Sequence, residues 1–192
     1  MNDREKHIAE AAIRTYSRKG VKRATMSDIA TEADVTRQTV YNTFPNTDAV
    51  FRAAIRLYID TQWQKIRIQW QNCNRLEEKL DILLQHFALE PWEYVNSSEE
   101  AAELAGGYNA AGHAEIEAAR EGFRDEVAAI FVPYEEALRL RGTNPHAVAD
   151  FIGAATEGIK YNCNDREAML IAISTLRAAL LSVAGISFMT DE

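Results

Sequence analysis

The chain has 192 residues, 47% of them apolar, which is enough to bury the core of one large or two small domains and excludes a disordered chain. Four prolines, few β-branched runs and abundant Ala, Leu, Glu and Arg favour helices. The net charge of −8 opposes nucleic-acid binding unless the acidic residues are unevenly distributed along the chain. Residues 1–48 hold eight Lys and Arg against seven Asp and Glu, so the acidic excess lies in the remainder.

A first helix is predicted from Asp3 to a C-terminal cap at Gly20, with Ile8 and Tyr16 on its apolar face. Positive charge is concentrated towards the end of this helix and just after it. Such a cluster is typical either of a rim that faces DNA phosphates or of a solvated helix end whose cations complement the helix dipole. Both interpretations remain open for Arg14, Arg18, Lys19, Lys22 and Arg23.

A second helix is predicted to begin after Thr25, because Thr is a good N-cap and Asp28, three positions on, can complete a reciprocal cap. Asp34 follows this helix, and its short polar side chain tolerates a left-handed turn conformation better than most. Thr36 can then cap a third helix that ends before Pro45. Residues 25–44 therefore predict two short helices joined by a tight turn.

The third helix is predicted over residues 37–44, with Val40 and Phe44 packed inwards. Its other side chains are expected at or near the surface, as a helix that enters a DNA groove requires. These surface side chains belong to Arg37, Gln38, Thr39, Tyr41 and Asn42.

Asn46 can cap a fourth helix from Thr47 to about Gln71, so no flexible linker separates it from the first three. Further helices are predicted over 75–92, 98–108, 113–141, 145–161 and 165–183. Gly122 and Pro133 are expected to kink or divide the segment 113–141. The predicted fold is all-α with about nine helices: a three-helix helix-turn-helix head, residues 1–46, joined by the long fourth helix to a helical domain of residues 47–192.

The last two predicted helices are unusually apolar. They can be ordinary core, or they can pair with the same helices of a second chain in a four-helix bundle. The interface residues predicted for that bundle are Phe151, Ile152, Ala155, Ile159, Ile173, Leu176 and Leu180.

Residues 8–51 resemble the N-terminal domain of the TetR family of bacterial transcriptional regulators. The matching residues, in register, are Ile8, Ala11, Ala12, Tyr16 for the usual Phe, Gly20, Thr25, Ile29, Ala30, Ala33, Val35, Thr36, Tyr41, Phe44, Asp48 and Val50. The sequence departs from the family pattern at three places. Asp34 replaces the usual turn glycine, and Asn42 and Thr43 stand where a His is common nearby. Thr47 replaces a Lys that often contacts phosphate.

The resemblance implies a homodimer that binds a palindromic operator in double-stranded DNA. Arg37, Gln38 and Asn42 are expected at base edges, because Arg can donate two bonds to guanine and Gln or Asn can match adenine. The residues expected near phosphates are Thr25, Thr36, Thr39, Tyr41 and Thr47. Packing is the alternative role for Tyr41, and helix capping is the alternative for Thr25 and Thr36.

The resemblance also implies an unknown small-molecule effector, bound among the helices of the C-terminal domain, which favours one spacing of the two DNA-binding heads. The aromatic residues predicted to line its pocket are Trp63, Phe87, Trp92, Tyr108, Phe123 and Phe131. Polar contacts to the effector can come from His86, Asn109, His113 or Glu157. Plain core packing is the alternative for each aromatic residue.

Two clusters of possible metal ligands, one beginning at His86 and one at His113, contain acidic residues at helical spacing. The H-E-x-x-H motif is absent, so surface or capping roles are expected and no metal is predicted. The sequence also lacks a G-x-S-x-G motif and a phosphate-binding Gly loop. We therefore expect neither a cofactor nor enzymatic activity.

Cys73 and Cys163 do not form a C-x-x-C motif, and no apolar run approaches the ~18 residues of a membrane span. These features predict a cytoplasmic protein without membrane association. The predicted function is that of a DNA-binding transcriptional regulator, specifically a repressor whose operator affinity falls when the effector binds. The alternative is a helical small-molecule sensor or interaction protein that has lost DNA binding.

Overall fold

The computed structural model describes residues 1–105 and 110–186, and the secondary structure in these ranges is helical, which confirms the all-α prediction. The α-helices are α1 (Asp3–Lys19), α2 (Met26–Glu32), α3 (Arg37–Thr43), α4 (Thr47–Trp70), α5 (Leu76–Leu84), α6 (Glu90–Val95), α7 (Glu99–Ala105), α8 (Ala110–Phe131), α9 (Glu135–Leu140), α10 (Pro145–Asn162) and α11 (Arg166–Val183). A π-helical turn, Gln85–Leu89, joins α5 to α6, and a 3-10 turn, Val132–Tyr134, joins α8 to α9. When these unbroken runs are counted as single helices, the described residues form nine helices, as predicted.

The described residues form two compact units. The first contains Met1–Gln64 and the described part of Tyr94–Ala119, whereas the second contains Lys65–Glu93 and residues 120–186. The first unit therefore includes α7 and the beginning of α8 together with the predicted head. The functional boundary at residue 46 remains a prediction, and the compact unit extends beyond it.

Helices α1 to α3 and the first half of α4 share one apolar core in the first unit. The rings of Tyr16 and Phe51 meet edge to face there, with their centroids 5.5 Å apart. Burial raises the pKa of the Tyr16 hydroxyl far above its usual range, and the negative charge of Asp48 adds to this effect. Leu104 of α7 and Ile116 of α8 pack against the same core. Segments far along the chain thus stabilise the helix-turn-helix.

In the second unit, Trp92 packs with Ala88, Leu89 and Met169. The Trp92 ring N–H donates to the backbone carbonyl of Cys163 over 3.2 Å, which satisfies its only polar group.

Helix α8 continues through Gly122, contrary to one expectation, because a single glycine lowers helix stability without ending the helix.

Pro133 lies in the 3-10 turn between α8 and α9, where the helix was predicted to be divided. Proline lacks the N–H that an α-helical bond needs, so the helix changes its bonding pattern there. Among the described helices, none combines the length and the hydropathy needed to cross a bilayer.

The helical run over residues 76–95 contains the π-helical turn. The Glu90 N–H bonds to the carbonyl of Gln85, five residues back instead of four. His86 is buried in this turn, with Nδ1 2.9 Å from Glu90 Oε2 and Nε2 2.8 Å from Gln69 Nε2. Both ring nitrogens of His86 are therefore used inside the second unit.

Candidate DNA-binding surface

The start of α2 is fixed by a reciprocal cap between Thr25 and Asp28, as predicted. The Asp28 N–H donates to Thr25 Oγ1 over 3.2 Å, and the Thr25 N–H donates to Asp28 Oδ2 over 3.0 Å. Asp28 also accepts a bond from Lys19 Nζ at 2.6 Å. The bond from Lys19 and the bonds from Thr25 lower the pKa of Asp28 to about 2.

This cap constrains the predicted phosphate contact of Thr25. The Thr25 hydroxyl donates to Asp28 Oδ2 over 2.8 Å, so a bond from this hydroxyl to a phosphate would replace a bond to a carboxylate. A phosphate near the α2 N-terminus would also meet the negative charge of Asp28. The structure therefore gives Thr25 a capping role, and its DNA contact stays a prediction.

The turn after α2 has the geometry that Asp34 was predicted to allow. Asp34 has φ 52°, a left-handed conformation, and the Val35 N–H bonds to the Ala30 carbonyl at 3.0 Å. This six-residue closure is the Schellman arrangement. His7 Nε2 donates to the Ala33 carbonyl over 2.7 Å, so α1 also holds the end of α2.

Helix α1 is further joined to α2 by Glu32, which accepts bonds from Arg14 at 2.8 Å and Arg18 at 2.9 Å. These bonds lower the pKa of the Glu32 carboxyl below its usual range, with the bond from Arg14 as the largest cause. The orientation of α2 against α1 is thus set by apolar packing and by a carboxylate shared between two arginines.

Helix α3 begins at the predicted cap, where the Thr39 N–H donates to Thr36 Oγ1 over 3.1 Å. Val40 is fully buried, whereas Tyr41 keeps 40% of its surface exposed. Arg37, Gln38 and Asn42 are exposed on the same helix, as predicted. One side of α3 therefore anchors the helix and the other presents a polar surface.

The exposed side chains of α3 form two pairs spaced four residues apart. Arg37 Nη2 donates to Tyr41 Oη over 3.3 Å, and the guanidinium lies 5.4 Å from the Tyr41 ring centroid. Gln38 Nε2 donates to Asn42 Oδ1 over 2.8 Å. Each predicted base-reading side chain is therefore oriented by a neighbour before any ligand binds.

An open groove of about 540 Å³ runs along the turn between α2 and α3. Thr36 and Thr39, both predicted near phosphates, line it together with Thr31. Asp34 also lines the groove, and its negative charge opposes a phosphate there. Ala30 and Val35 supply its apolar floor.

The basic cluster predicted at the end of α1 is balanced by carboxylates within the first unit. Two of these carboxylates, on Asp28 and Glu32, belong to α2, and two, on Glu100 and Glu103, belong to α7. The pairs are Arg14–Glu32, Arg18–Glu32, Lys19–Asp28, Lys22–Glu103 and Arg23–Glu100. The cluster is thus a set of ion pairs, an arrangement that neither sequence interpretation contained.

Thr47, the first residue of α4, is exposed. Asn46 caps this helix by accepting the Ala49 N–H at 2.9 Å, as predicted. The α4 N-terminus therefore lies at the surface beside Thr47, where N–H groups can meet a phosphate without a lysine.

The predicted pocket aromatics are distributed over several sites. Phe87 and Phe123 come together in the second unit, with centroids 5.0 Å apart in an edge-to-face contact, and both are half-buried. Trp92 and the fully buried Phe131 belong to the packing of that unit. Trp63 is buried in the first unit. The predicted residues Tyr108 and Asn109 lie outside the described residues.

Gln62 is a polar side chain that sequence reasoning missed. It is 9% exposed, and its Oε1 is buried without a hydrogen-bond partner among the described residues. Its position three residues after Ile59 and four before Ile66 is a signal that could have identified a buried glutamine. Such an acceptor is usually satisfied by an ordered water or a bound group.

The predicted dimer residues divide into three classes by exposure. Ile152, Leu176 and Leu180 are at most 6% exposed within one chain, so they belong to its own core and the interface prediction is corrected at these three positions. Ala155, Ile159 and Ile173 are half-buried. Phe151, at 55% exposure, is available to a second chain. The correction arises because both sides of α10 are apolar, and sequence periodicity does not tell which side faces inwards.

Exposed apolar residues that were not predicted for the interface also lie on α10 and α11. They are Tyr161 of α10 and Leu170 and Ile171 of α11, with exposures of 84%, 39% and 61%.

Among the described residues, no group of three His, Cys, Asp or Glu side chains lies close enough to hold a metal ion.

Comparison with known proteins agrees with this architecture. The family model described as bacterial regulatory proteins, tetR family, matches residues 8–54. No curated protein sequence shows significant similarity to the chain. Several solved structures share the fold at low sequence identity, so they bear on the fold alone.

The fatty acid degradation regulator FadR from Bacillus halodurans has a TM-score of 0.69 and 18% identity, with 94% of this chain and 96% of that chain covered. A TetR-family transcriptional regulator from Mesorhizobium loti has a TM-score of 0.58 and 15% identity, with 95% and 96% covered. The repressor MexZ from Pseudomonas aeruginosa has a TM-score of 0.52 and 19% identity, with 95% and 96% covered.

The matched residues 8–54 include the caps of α2 and α3, the left-handed turn at Asp34 and the exposed face of α3. The all-helical fold continues beyond that match over nearly the whole length of the similar structures. We conclude that residues 8–54 match the tetR family of bacterial regulatory proteins and that the chain as a whole shares the fold of the similar structures.

Proposed function

We propose that this chain is a homodimeric DNA-binding transcriptional regulator and that α3 reads base edges in the major groove. The observation that carries the proposal is the exposed face of α3, where Arg37 and Gln38 are each oriented by the residue four positions on. A helix of this kind can enter the major groove while Val40 anchors it from behind.

The remaining hydrogen-bonding groups of these pairs suit base recognition. Arg37 uses one of its five N–H donors on Tyr41, so it retains enough donors for the two acceptors of guanine. Gln38 and Asn42, joined by one hydrogen bond between their side-chain amides, still have an acceptor on Gln38 and donors on Asn42. Adenine requires such a combination.

The electrostatics of the first unit favour specific over non-specific binding. The basic residues at the end of α1 are paired with carboxylates, and the whole chain carries a net charge of −8. Because non-specific affinity comes from cations on phosphates, we expect it to be low. Base contacts from α3 and N–H groups at helix N-termini then supply most of the operator affinity.

The test is binding to the DNA upstream of the chain's own gene, measured by fluorescence anisotropy over a series of salt concentrations and by footprinting. We expect affinity that falls as salt rises, and a palindromic footprint with half-sites about 34–36 Å apart or a multiple of this. An absence of binding at low salt would favour the alternative, a helical sensor that has lost DNA binding.

The exposed apolar face of α10 and α11 supports the homodimer. Phe151 and Tyr161 on α10 lie ten residues apart, with Gly158 exposed between them. Leu170 and Ile171 supply the exposed apolar residues of α11. Two copies of this helix pair would bury the four large side chains of each chain in a four-helix bundle.

We propose that the regulator is a repressor released by a small molecule bound beside Phe87 and Phe123 in the second unit. The edge-to-face pair is half-buried, as the wall of a small-molecule site is, and MexZ, of similar fold, is described as a repressor. The effector has to prefer the conformation with low operator affinity, because a ligand without such a preference shifts no equilibrium.

A thermal-shift screen of small molecules tests this regulation. We expect a compound that raises the melting temperature of the protein to lower its affinity for upstream DNA. The variant Phe87→Ala should weaken binding of the compound while DNA binding without it is retained. A compound that binds equally well to free and DNA-bound protein would contradict its role as effector.

A further inference from the structure

Helix α7 is attached to the head by contacts that do not depend on charge. Ala101 is 2% exposed, and Leu104 packs against the core of the first unit. Before α7, the Tyr94 hydroxyl lies 2.8 Å from the Ser17 hydroxyl of α1. These contacts hold α7 beside the loop that joins α1 to α2.

Two carboxylates of α7 bind the two cations of that loop. Glu100 Oε1 lies 2.5 Å from Arg23 Nη2, and Glu103 Oε1 lies 3.1 Å from Lys22 Nζ. Both carboxylate side chains are 27% exposed, whereas Lys22 and Arg23 are 63% and 69% exposed. The cations therefore remain open to a second anion, while the carboxylates are partly enclosed.

The Glu103 carboxylate also lies close to the backbone of the loop. Gly20 has φ 78°, and a Cβ at this position would lie 3.0 Å from Glu103 Oε2, so the carboxylate approaches the glycine closely. The side chain of Lys22, followed by backbone N–H bonds from Lys22 and Val21, lowers the pKa of Glu103. Glu103 thus occupies a cationic, N–H-rich position of the kind that accepts a phosphate.

The position of Lys22 and Arg23 in the head links this contact to DNA. They precede Thr25, the N-cap of α2, by three and two residues, so they lie beside a helix N-terminus of the helix-turn-helix. Arg23 Nε donates to the Lys19 carbonyl over 2.8 Å, which orients the guanidinium. Phosphate contacts of a helix-turn-helix come from its helix N-termini and from nearby cations.

We propose that Glu100 and Glu103 compete with DNA phosphates for Arg23 and Lys22, so that docked α7 weakens the phosphate contacts of the head. This inference rests on the proposed DNA-binding function and adds a regulatory contact to it. Exposed ion pairs contribute little and are screened by salt, whereas each phosphate contact also releases a counterion. Any change that withdraws α7 from the loop would therefore add two cations to the DNA-binding surface.

The test compares the full chain with the double variant Glu100→Gln, Glu103→Gln on one duplex of about 30 base pairs and mixed sequence. A non-specific duplex is suitable because phosphate contacts do not depend on sequence. Anisotropy is measured from 50 to 200 mM salt. We expect the variant to bind more tightly at low salt and to lose about 10-fold more affinity over that range, as two additional phosphate contacts require.

The matched control is the double variant Glu115→Gln, Glu117→Gln, which also removes two negative charges and breaks another ion pair of the first unit. Glu115 Oε1 lies 2.6 Å from Arg56, a cation nine residues into α4. We expect its salt dependence to equal that of the unaltered chain. A steeper salt dependence in this control, matching the double variant, would show a general charge effect and overturn the proposal.

A second background tests the assignment of the cations. This background carries Lys22→Gln and Arg23→Gln. Adding Glu100→Gln and Glu103→Gln to it should not increase the salt dependence of DNA binding, because the two cations for which carboxylates and phosphates compete are gone. Circular dichroism checks that each variant is folded. If the unaltered chain binds the duplex with the usual salt dependence and the α7 variant matches it, this inference is wrong and the DNA-binding function stands. If no form binds either this duplex or the upstream DNA at low salt, the DNA-binding function itself fails.

Discussion

Asp28 bonds to the hydroxyl and N–H of Thr25 and to Lys19, so one half-buried carboxylate joins a helix to its cap and to the preceding helix. Its pKa falls from 3.8 to about 2 in the folded protein. Since the folded pKa is below the unfolded value, the carboxylate contributes stability above about pH 5 and loses that contribution as the pH falls towards 2.

We predict that Asp28→Asn lowers the urea midpoint at pH 7, where the ionised carboxylate is fully effective. The difference between the variant and the unaltered chain should be smaller at pH 3, because the carboxylate is partly protonated there in the unfolded chain. Urea titrations followed by circular dichroism at the two pH values measure this. An equal difference in urea midpoint at both pH values would show that the ionised form of Asp28 contributes nothing to stability.

Arg37 and Gln38 are the residues on which base recognition by α3 depends. We predict that Ala at either position weakens operator binding by about 1–3 kcal/mol and relaxes base preference, because a bidentate base contact is lost. Anisotropy at fixed salt, on the operator and on single-base variants of it, measures both effects. Gln64→Ala, at an exposed glutamine of α4, is the control and should leave affinity unchanged. Unaltered base preference in the Arg37 and Gln38 variants would refute their role.

At the scale of elements, the caps of the head were predictable because each depends on residues within three or four positions. Thr25 with Asp28, Thr36 with Thr39, and Asn46 with Ala49 form the expected bonds. The left-handed turn was also predictable from one residue, Asp34. Short-range chemistry of this kind needs no knowledge of the rest of the fold.

The turn at Asp34 gives a prediction for stability. Asp34→Gly should raise the free energy of unfolding by about 0.5–1 kcal/mol, because glycine adopts the left-handed conformation without the steric cost that an L-residue has. Asp34→Val should lower it, since a β-branched residue fits this region poorly. Chemical denaturation at neutral pH measures both variants. A glycine variant less stable than the unaltered chain would show that the Asp34 side chain itself stabilises the turn.

For the whole molecule, the quaternary structure depends on which side of α10 and α11 faces outwards. From composition alone, either side of α10 could form the dimer interface, because the adjacent residues Phe151 and Ile152 are both large and apolar. The fold separates them, with Ile152 fully buried and Phe151 55% exposed. The partners of Lys22 and Arg23 were equally beyond sequence reasoning, because Arg23 and Glu100 are 77 residues apart in the chain.

We predict that Phe151→Glu or Ile171→Glu converts a homodimer to a monomer, because either places a charge in an apolar interface. Light scattering coupled to size-exclusion chromatography measures the mass, and DNA affinity should fall with the loss of the second head. Leu140→Glu is the control, since Leu140 is 71% exposed on α9. A dimeric mass for both interface variants would place the interface elsewhere.

The π-helical turn at Gln85–Leu89 has a consequence for evolution by insertion and deletion. A π turn contains one more residue than an α turn. Leu84 before the turn and Trp92 after it are therefore both buried only because an extra residue lies between them. Losing that residue would rotate everything after it by about 100°, the angle of one α-helical step. Trp92 would then leave the carbonyl of Cys163. In an alignment of related chains, a single-residue gap within positions 85–89 would therefore identify members in which α5 and α6 form one regular helix.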